Sequence, residues 1–287
     1  IAKVEAQEHA TKVLHHQLIA SDECMLMNAK DRWTRGGSSD ATALLTHTSR
    51  APLRLAGLPA RARAAPPTPH PAAAHAAAKN IEIISEVEIA LRAAPQARVV
   101  VITGTNGKST TTALVGHCLQ QAGKAAAVGG NIGQAACLLD DPGPDGVIVL
   151  ELSSYQLETT PALSPTIAVV LNITPDHLDR HAGMAGYVAA KTRALFGLRA
   201  ESTAILGQSD DHVKQLANAC QDRGIRTLLA TLDKAPAGRE NCLALRGDHN
   251  AENAAAAGLV LHCLGLDVDQ IDHGMASFVG LPHRLQT

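Results

Sequence analysis

Lys108 follows Gly104 and Gly107 and precedes Ser109, Thr110, Thr111 and Thr112 in the stretch VVVITGTNGKSTTTALV. A glycine-rich turn between a strand and a helix aims backbone N–H groups at whatever lies above the first helical turn. The helix dipole adds positive potential there, so the turn favours phosphate. Gly104, Thr105, Asn106 and Gly107 form the cradle. Lys108 can reach the terminal phosphate oxygens, and Ser109 or Thr110 can hold Mg²⁺. An ordinary glycine turn with a surface lysine is the plain alternative, but strand, glycines, lysine and hydroxyls fall here in the order that phosphate binding needs. The common Walker spelling puts four residues between its glycines, whereas only Thr105 and Asn106 lie between Gly104 and Gly107. A nucleotide site is expected, and its subclass must come from other motifs.

Three later segments put polar groups where apolar runs end. GVIVLELSSYQLE runs into Glu151, Ser153 and Ser154. A carboxylate at a strand end beside a phosphate loop is a natural Mg²⁺ ligand; a solvated loop glutamate is the alternative. VVLNITPDHLDRH crowds Asn172, Asp176, His177, Asp179 and His181 together. Caps and turns account for Thr174, Asp176 and Asp179. His177 is no cap residue and points to metal or phosphate contact. In YVAAKTRALF, Lys191 lies on an otherwise apolar helix, where a lysine usually snorkels to the surface.

The elements that must position these groups follow from hydrophobic patterning. Strands are expected at 98–103, 125–128, 146–151, 167–171, 203–206 and 225–229, with helices at 108–122, 184–197 and 210–222 between them. A long Ala-rich helix covers 248–264 and a shorter one 268–277. Continuous apolar strands such as GVIVLEL and TIAVVLNI imply a sheet covered on both faces. The expected class is α/β: a doubly wound, mostly parallel sheet that binds ligands at the C-terminal ends of its strands. Upstream, AAAHAAAKN reads as a helix, IEIIS as a short strand and EVEIALRAA as a helix closed by Pro95. Residues 1–66 are harder. Residues 1–30 have a scattered helical pattern, and the following Arg-, Ala-, Pro- and Thr-rich stretch suits a linker or disorder.

Composition bounds the function. The 287 residues are 46% hydrophobic but only 2% aromatic, so the core must be built from Ala, Val, Leu and Ile. A net charge of −2 gives no electrostatic argument for nucleic acid or membrane lipid. No apolar run is long enough to span a bilayer, and no segment reads as a signal peptide. The six cysteines form no C-x-x-C pair, which suits free thiols in a reducing cytoplasm.

Seven motifs occur in order: TGTNGKSTTT, GGNIG, ELSSYQLE, LNITPDHLDRH, YVAAK, GDHNAENAAAA and GLPHR. Together they resemble the Mur ligase family, over about residues 68–284. ELSSYQLE and GGNIG resemble its D-glutamate-adding branch. The resemblance implies a cytoplasmic bacterial enzyme of peptidoglycan synthesis, monomeric, using ATP and two Mg²⁺ ions. Its substrates would be UDP-N-acetylmuramoyl-L-alanine and D-glutamate, joined through an acyl phosphate. By the same resemblance, Lys108 holds the β- and γ-phosphates, and Ser109 or Thr110 and Glu151 bind the first Mg²⁺. His177 binds the second, and Lys191 is a carbamylated lysine supporting that ion. Asn131 and Ser153 lie near the muramoyl substrate, Asn250 and Asn253 on the adenine side, and Arg284 at the nucleotide phosphates or ribose.

The domains then expected are a remnant of the N-terminal uridine-binding domain over 67–97, a central ATP-binding domain over 98–284, and the start of a C-terminal domain at 285–287. Residues 1–66 match no part of the family pattern. This chain by itself is accordingly expected not to ligate D-glutamate, and a non-catalytic ATP-binding fragment is the second reading. An unrelated GTPase is disfavoured because no N-K-x-D base-reading motif is present.

Overall fold

The computed structural model describes residues 83–93, 97–208 and 210–281, together with the backbone of three short strands at 25–27, 33–35 and 43–44. The helix expected over 72–80, the helix stop at Pro95, Arg284 and Cys24 lie outside the described residues.

The chain divides into two units. The first contains β1 (Met25–Met27), β2 (Trp33–Arg35), β3 (Ala43–Leu44) and β4 (Ile83–Ile84), in the sheet order β2-β1-β3-β4, and α1 (Glu86–Ala93). Residues 25–27 are therefore a strand, not part of a helix. Strand pairing, a non-local contact, overrides the weak helical pattern there. Residues 158–162 belong to the same unit. The Ala162 N–H donates to Glu88 Oε2 at 2.9 Å, and Ser85 and Thr160 share a hydroxyl hydrogen bond of 2.7 Å.

The second unit holds every described residue expected at the site. Its elements are β5 (Arg98–Thr103), α2 (Lys108–Gln121), β6 (Ala126–Gly130), β7 (Val147–Glu151), α3 (Ser154–Glu158), β8 (Ile167–Val170), α4 (Met184–Thr192), β9 (Thr203–Gly207), α5 (Asp211–Asp222), β10 (Arg226–Ala230), α6 (Asp248–Cys263) and α7 (Val268–Ala276). The expected strands agree to within two residues at each end. The helix expected over 184–197 is shorter: α4 stops at Thr192, and a 3₁₀ turn over Arg193–Leu195 follows. The sheet order is β10-β9-β8-β5-β7-β6, and every pairing is parallel.

Both faces are covered, as the unbroken apolar strands require. On one face Val100, Ile102, Val149 and Val169 pack against residues of α2, α6 and α7. Ala254, Ala255, Ala256 and Ala257 of α6 are all fully buried there. On the other face Ala168, Val170, Ala204 and Leu206 meet Tyr187 of α4 and Val213 and Leu216 of α5. Alanine fits because small side chains let a helix approach the sheet closely, which is how a core with few aromatics still fills its space.

Strand order decides what meets the phosphate loop. β5 lies between β7 and β8, with Ile102 opposite Glu151 and Thr103 opposite Val170. The ends of β7 and β8 thus flank the turn after β5. This is where the strand order reverses, the position at which open α/β sheets bind ligands.

Asp210 holds one of these ends in place. Its Oδ1 accepts from the Val213 N–H at 2.9 Å, capping α5, and its Oδ2 accepts from the Ile173 N–H at 2.8 Å. Asp210→Ala removes a helix cap and strands the backbone N–H of Ile173, a residue 1% exposed. The expected destabilisation is about 2–4 kcal/mol, read as a lower urea midpoint at unchanged slope. An unchanged midpoint would show that the loop after β8 is held by other contacts.

Candidate functional site

The phosphate loop is built for an anion. Gly107 caps α2 in the left-handed region, at φ 84°, with no side chain bonded to the helix end. The first turn of α2 has no acidic residue. By contrast α5 carries the Asp210 side-chain cap and Asp211 in its first turn. The start of α2 thus carries neither a side-chain cap nor an acidic residue of its own, the composition that suits an anion.

The loop is clamped from β8. The Thr105 N–H donates to the Asn172 carbonyl at 2.8 Å, and the Asn106 N–H to Asn172 Oδ1 at 2.8 Å. Asn172 Nδ2 returns a bond to the Asn106 carbonyl at 3.2 Å. Thr105 is a hub: its Oγ1 receives the Thr174 N–H at 3.0 Å and lies 3.2 Å from Tyr187 Oη. Lys108 Nζ folds back onto the Thr105 carbonyl at 2.7 Å.

Lys191 does not snorkel. It is 2% exposed, and its Nζ donates to the Gly104 carbonyl at 2.7 Å. The Tyr187 ring, one helical turn earlier, lies 4.8 Å from the ammonium. Burial, and then the nearby charge of Lys108, lower its pKa from 10.5 to about 7, against the opposing charges of Asp176 and Glu151. Lys191 therefore belongs to the floor of the phosphate loop.

Glu151 ends β7 with 2% exposure. Its Oε1 accepts from Asn131 Nδ2 at 3.0 Å, while Oε2 is buried with no hydrogen-bond partner. An orphaned buried carboxylate oxygen is costly unless a cation meets it. That oxygen and the Ser109 and Thr110 hydroxyls on the first turn of α2 are the oxygen donors Mg²⁺ prefers, so the residues fit the ion.

The remaining expected residues divide. Asn253 is buried beside Gly107, and its Nδ2 reaches Asn250 Oδ1 at 3.4 Å. Asn250 Nδ2 bonds the Arg246 carbonyl at 3.0 Å. Ser153 is occupied locally: its Oγ and N–H both meet Gln156 Oε1 at 3.1 Å, which caps α3. His177 is exposed at φ 48°, with Nε2 3.5 Å from Asp176 and its ring 5.6 Å from Tyr155. Among the described residues no three His, Cys, Asp or Glu side chains gather to hold a metal.

Sequence reasoning gave no role to Asn172, Tyr187 or His181. Both tyrosines of the chain flank His181, at 5.4 and 5.3 Å between ring centroids, and His181 Nε2 lies 2.9 Å from Ser154 Oγ. The i, i+4 spacing of Tyr187 and Lys191 was the available signal. The described cysteines, Cys118, Cys137, Cys220, Cys242 and Cys263, are free thiols. No helix among the described residues is long and apolar enough to cross a membrane.

Comparison with known proteins adds to this geometry. Residues 102–241 match the model of the Mur ligase middle domain. The UDP-N-acetylmuramoylalanine–D-glutamate ligase of Caulobacter sp. (strain K31) is 41% identical over 250 residues, covering 77% of this chain and 53% of that protein. The ligase of the same name from Sphingopyxis alaskensis is 44% identical over 222 residues, covering 76% and 50%. This chain thus spans about half the length of the curated relatives it matches. Among solved structures, the UDP-N-acetylmuramoylalanyl-D-glutamyl-2,6-diaminopimelate–D-alanyl-D-alanyl ligase of Acinetobacter baumannii aligns with a TM-score of 0.55 at 21% identity, over 70% of this chain and 50% of its own. E. coli FolC in complex with DHPP and ADP aligns at 0.51 and 22%, over 70% and 61%. At these identities the structural likeness establishes the fold.

Proposed function

The chain belongs to the Mur ligase family, and from that premise we propose that it is the nucleotide-binding part of an ATP-dependent ligase adding D-glutamate to UDP-N-acetylmuramoyl-L-alanine. The amino acid and the acceptor are those of the ligases about 40% identical to it. In that reaction the acceptor carboxylate attacks the γ-phosphorus and ADP leaves. The D-glutamate amine then attacks the acyl phosphate, and inorganic phosphate leaves.

One observation carries the nucleotide reading. A helix start with no side-chain cap, Lys108 and buried Lys191 gather at one turn, and Glu151 ends the strand beside it with Oε2 buried and without a hydrogen-bond partner. Phosphoryl transfer is mostly positioning and charge neutralisation, and this turn offers both. Lys108 would swing from the Thr105 carbonyl to the phosphates. Ser109 or Thr110 and Glu151 would hold Mg²⁺, which when bound neutralises charge on the transferring phosphoryl group. His177 would hold a second ion. Lys191 would take up CO₂ as its neutral amine, forming a carbamate and releasing a proton. Asn250 and Asn253 would border the adenine and Arg284 the phosphates or ribose, with Asn131 and Ser153 on the acceptor side.

Calorimetry with a non-hydrolysable ATP analogue and Mg²⁺ tests the reading. Wild type is expected to bind, and Lys108→Ala to lose a charge-assisted contact of about 1.5–3 kcal/mol, a loss of tenfold or more. Equal binding by the two would end the proposal. The second reading is nucleotide binding without ligation by this chain alone. Chromatography of a reaction supplied with both substrates separates the two: a D-glutamyl product supports the first, and phosphate release without product the second.

A further inference from the structure

We propose that Asn131 is a positioning residue: its amide occupies one oxygen of Glu151 and leaves the other as that carboxylate's single metal-binding position. This rests on the Mg·nucleotide reading and extends it to a residue that the resemblance associates only with the acceptor substrate.

The geometry starts at the sheet. β6 and β7 run parallel with Gly130 opposite Glu151. At the end of β6 the chain turns across the end of β7. The Asn131 N–H donates to the Glu151 carbonyl at 2.9 Å, and Asn131 Nδ2 donates to Glu151 Oε1 at 3.0 Å. Backbone and side chain of one residue are thus tied to backbone and side chain of the other. Only glycine permits this approach. Gly130 has φ 100°, and a Cβ there would stand 2.4 Å from the Glu151 carbonyl oxygen. The GGNIG motif therefore has a mechanical reading: Gly130 lets the chain come close, and Asn131 uses the closeness.

The chemistry follows from which oxygen is taken. Glu151 is 2% exposed, so its carboxylate has few rotamers and no bulk water to satisfy it. With Oε1 committed to the amide, Oε2 is left buried without a partner. A carboxylate held this way offers one oxygen in a fixed direction, the arrangement suited to a small octahedral cation that takes carboxylates one oxygen at a time. Partners that orient a ligand in this manner typically support metal affinity by about 10–100-fold. Without the amide, Glu151 could rotate and share its two oxygens. Asn131 is itself exposed, so removing its side chain leaves no cavity and keeps the backbone bond to Glu151.

The test is a Mn²⁺ titration followed by electron paramagnetic resonance, using the whole 287-residue chain and a non-hydrolysable ATP analogue. Asn131→Ala and Asn131→Ser both remove the amide, and the serine is well tolerated at a turn. Both are expected to weaken nucleotide-dependent Mn²⁺ binding about tenfold or more. Affinity for the analogue without metal, measured in chelator, should stay within about twofold, because the phosphate loop is untouched. Wild-type Mn²⁺ affinity in both variants would overturn the proposal and leave the nucleotide site standing. Parallel loss of metal-free nucleotide affinity would also overturn it, by showing that Asn131 supports the loop instead of the carboxylate. Absence of nucleotide-dependent Mn²⁺ binding by wild type would overturn this proposal together with the reading beneath it.

Discussion

Gly107→Ala is expected to abolish measurable nucleotide binding while leaving a folded, less stable chain. Gly107 stands at φ 84°, where an L side chain costs about 1–2 kcal/mol. Its new Cβ would also lie 2.1 Å from Asn253 Oδ1 and 2.9 Å from Asn253 Cγ. Asn253 is only 7% exposed and cannot swing aside freely. Overpacking of this kind adds roughly 1–3 kcal/mol. Either the loop shifts or α6 does, and each movement disturbs the N–H groups that would face the phosphates. The variant Gly107→Ala with Asn253→Ala separates the causes: it should recover the steric part of the stability loss but not the backbone strain. Thermal melts and calorimetry with the ATP analogue read both effects. Wild-type affinity in Gly107→Ala would show that the loop tolerates a side chain and that its geometry is not what binds phosphate.

Lys191→Met is expected to stabilise the chain at pH 6, with the gain shrinking steadily toward pH 10. The sign follows from linkage. Lys191 titrates near 7 in the folded protein and near 10.5 when unfolded. Between those values the unfolded state holds a proton that the folded state has released, so wild-type stability rises with pH across that window. Below about pH 7 both states are protonated and the whole penalty, of order 3–5 kcal/mol, stands. Methionine keeps the volume and removes the charge. It also strips the Gly104 carbonyl of its donor, at a cost of about 1–3 kcal/mol, so the net gain at pH 6 should be about 1–3 kcal/mol. The same variant should lose the carbamate signal that wild type is expected to give by ¹³C NMR in labelled bicarbonate with Mg²⁺, because a near-neutral amine is what CO₂ uptake requires. A pH-independent difference between the two melts would contradict the titration. A wild type without carbamate would remove Lys191 from the proposed metal site.

These expectations differ in how far the sequence foretells them. The phosphate loop is local chemistry: two glycines, a lysine and hydroxyls within nine residues after a β-branched run leave little freedom in what the turn can bind. The strands at 98–103, 147–151, 167–170 and 203–207 are legible for a similar reason, since parallel strands covered on both faces are largely apolar. Where two periods compete the sequence is weaker. The end of α4 at Thr192 and the strand at 25–27 depend on packing or pairing that no local pattern encodes.

What the sequence by itself determined is the list of elements and the identity of the groups at their ends: Lys108, Glu151 and His177 stood out by residue type and position, whereas Lys191 read as a surface lysine until the resemblance gave it a role. Which of them meet was decided by the strand order. With β5 placed between β7 and β8, Glu151 and Asn172 are brought to the phosphate loop from segments 40 and more residues downstream. Lys191 reaches the Gly104 carbonyl across 87 residues, and in doing so exchanges the surface setting usual for lysine for a buried one. Asn131 turns to Glu151, Ser153 to its own helix end, and Asn253 to Gly107. Side-chain periodicity records only which face of its own element a residue occupies. The partner on another element is fixed by strand order, register and the space left between packed layers, and these exist only once the whole sheet has formed.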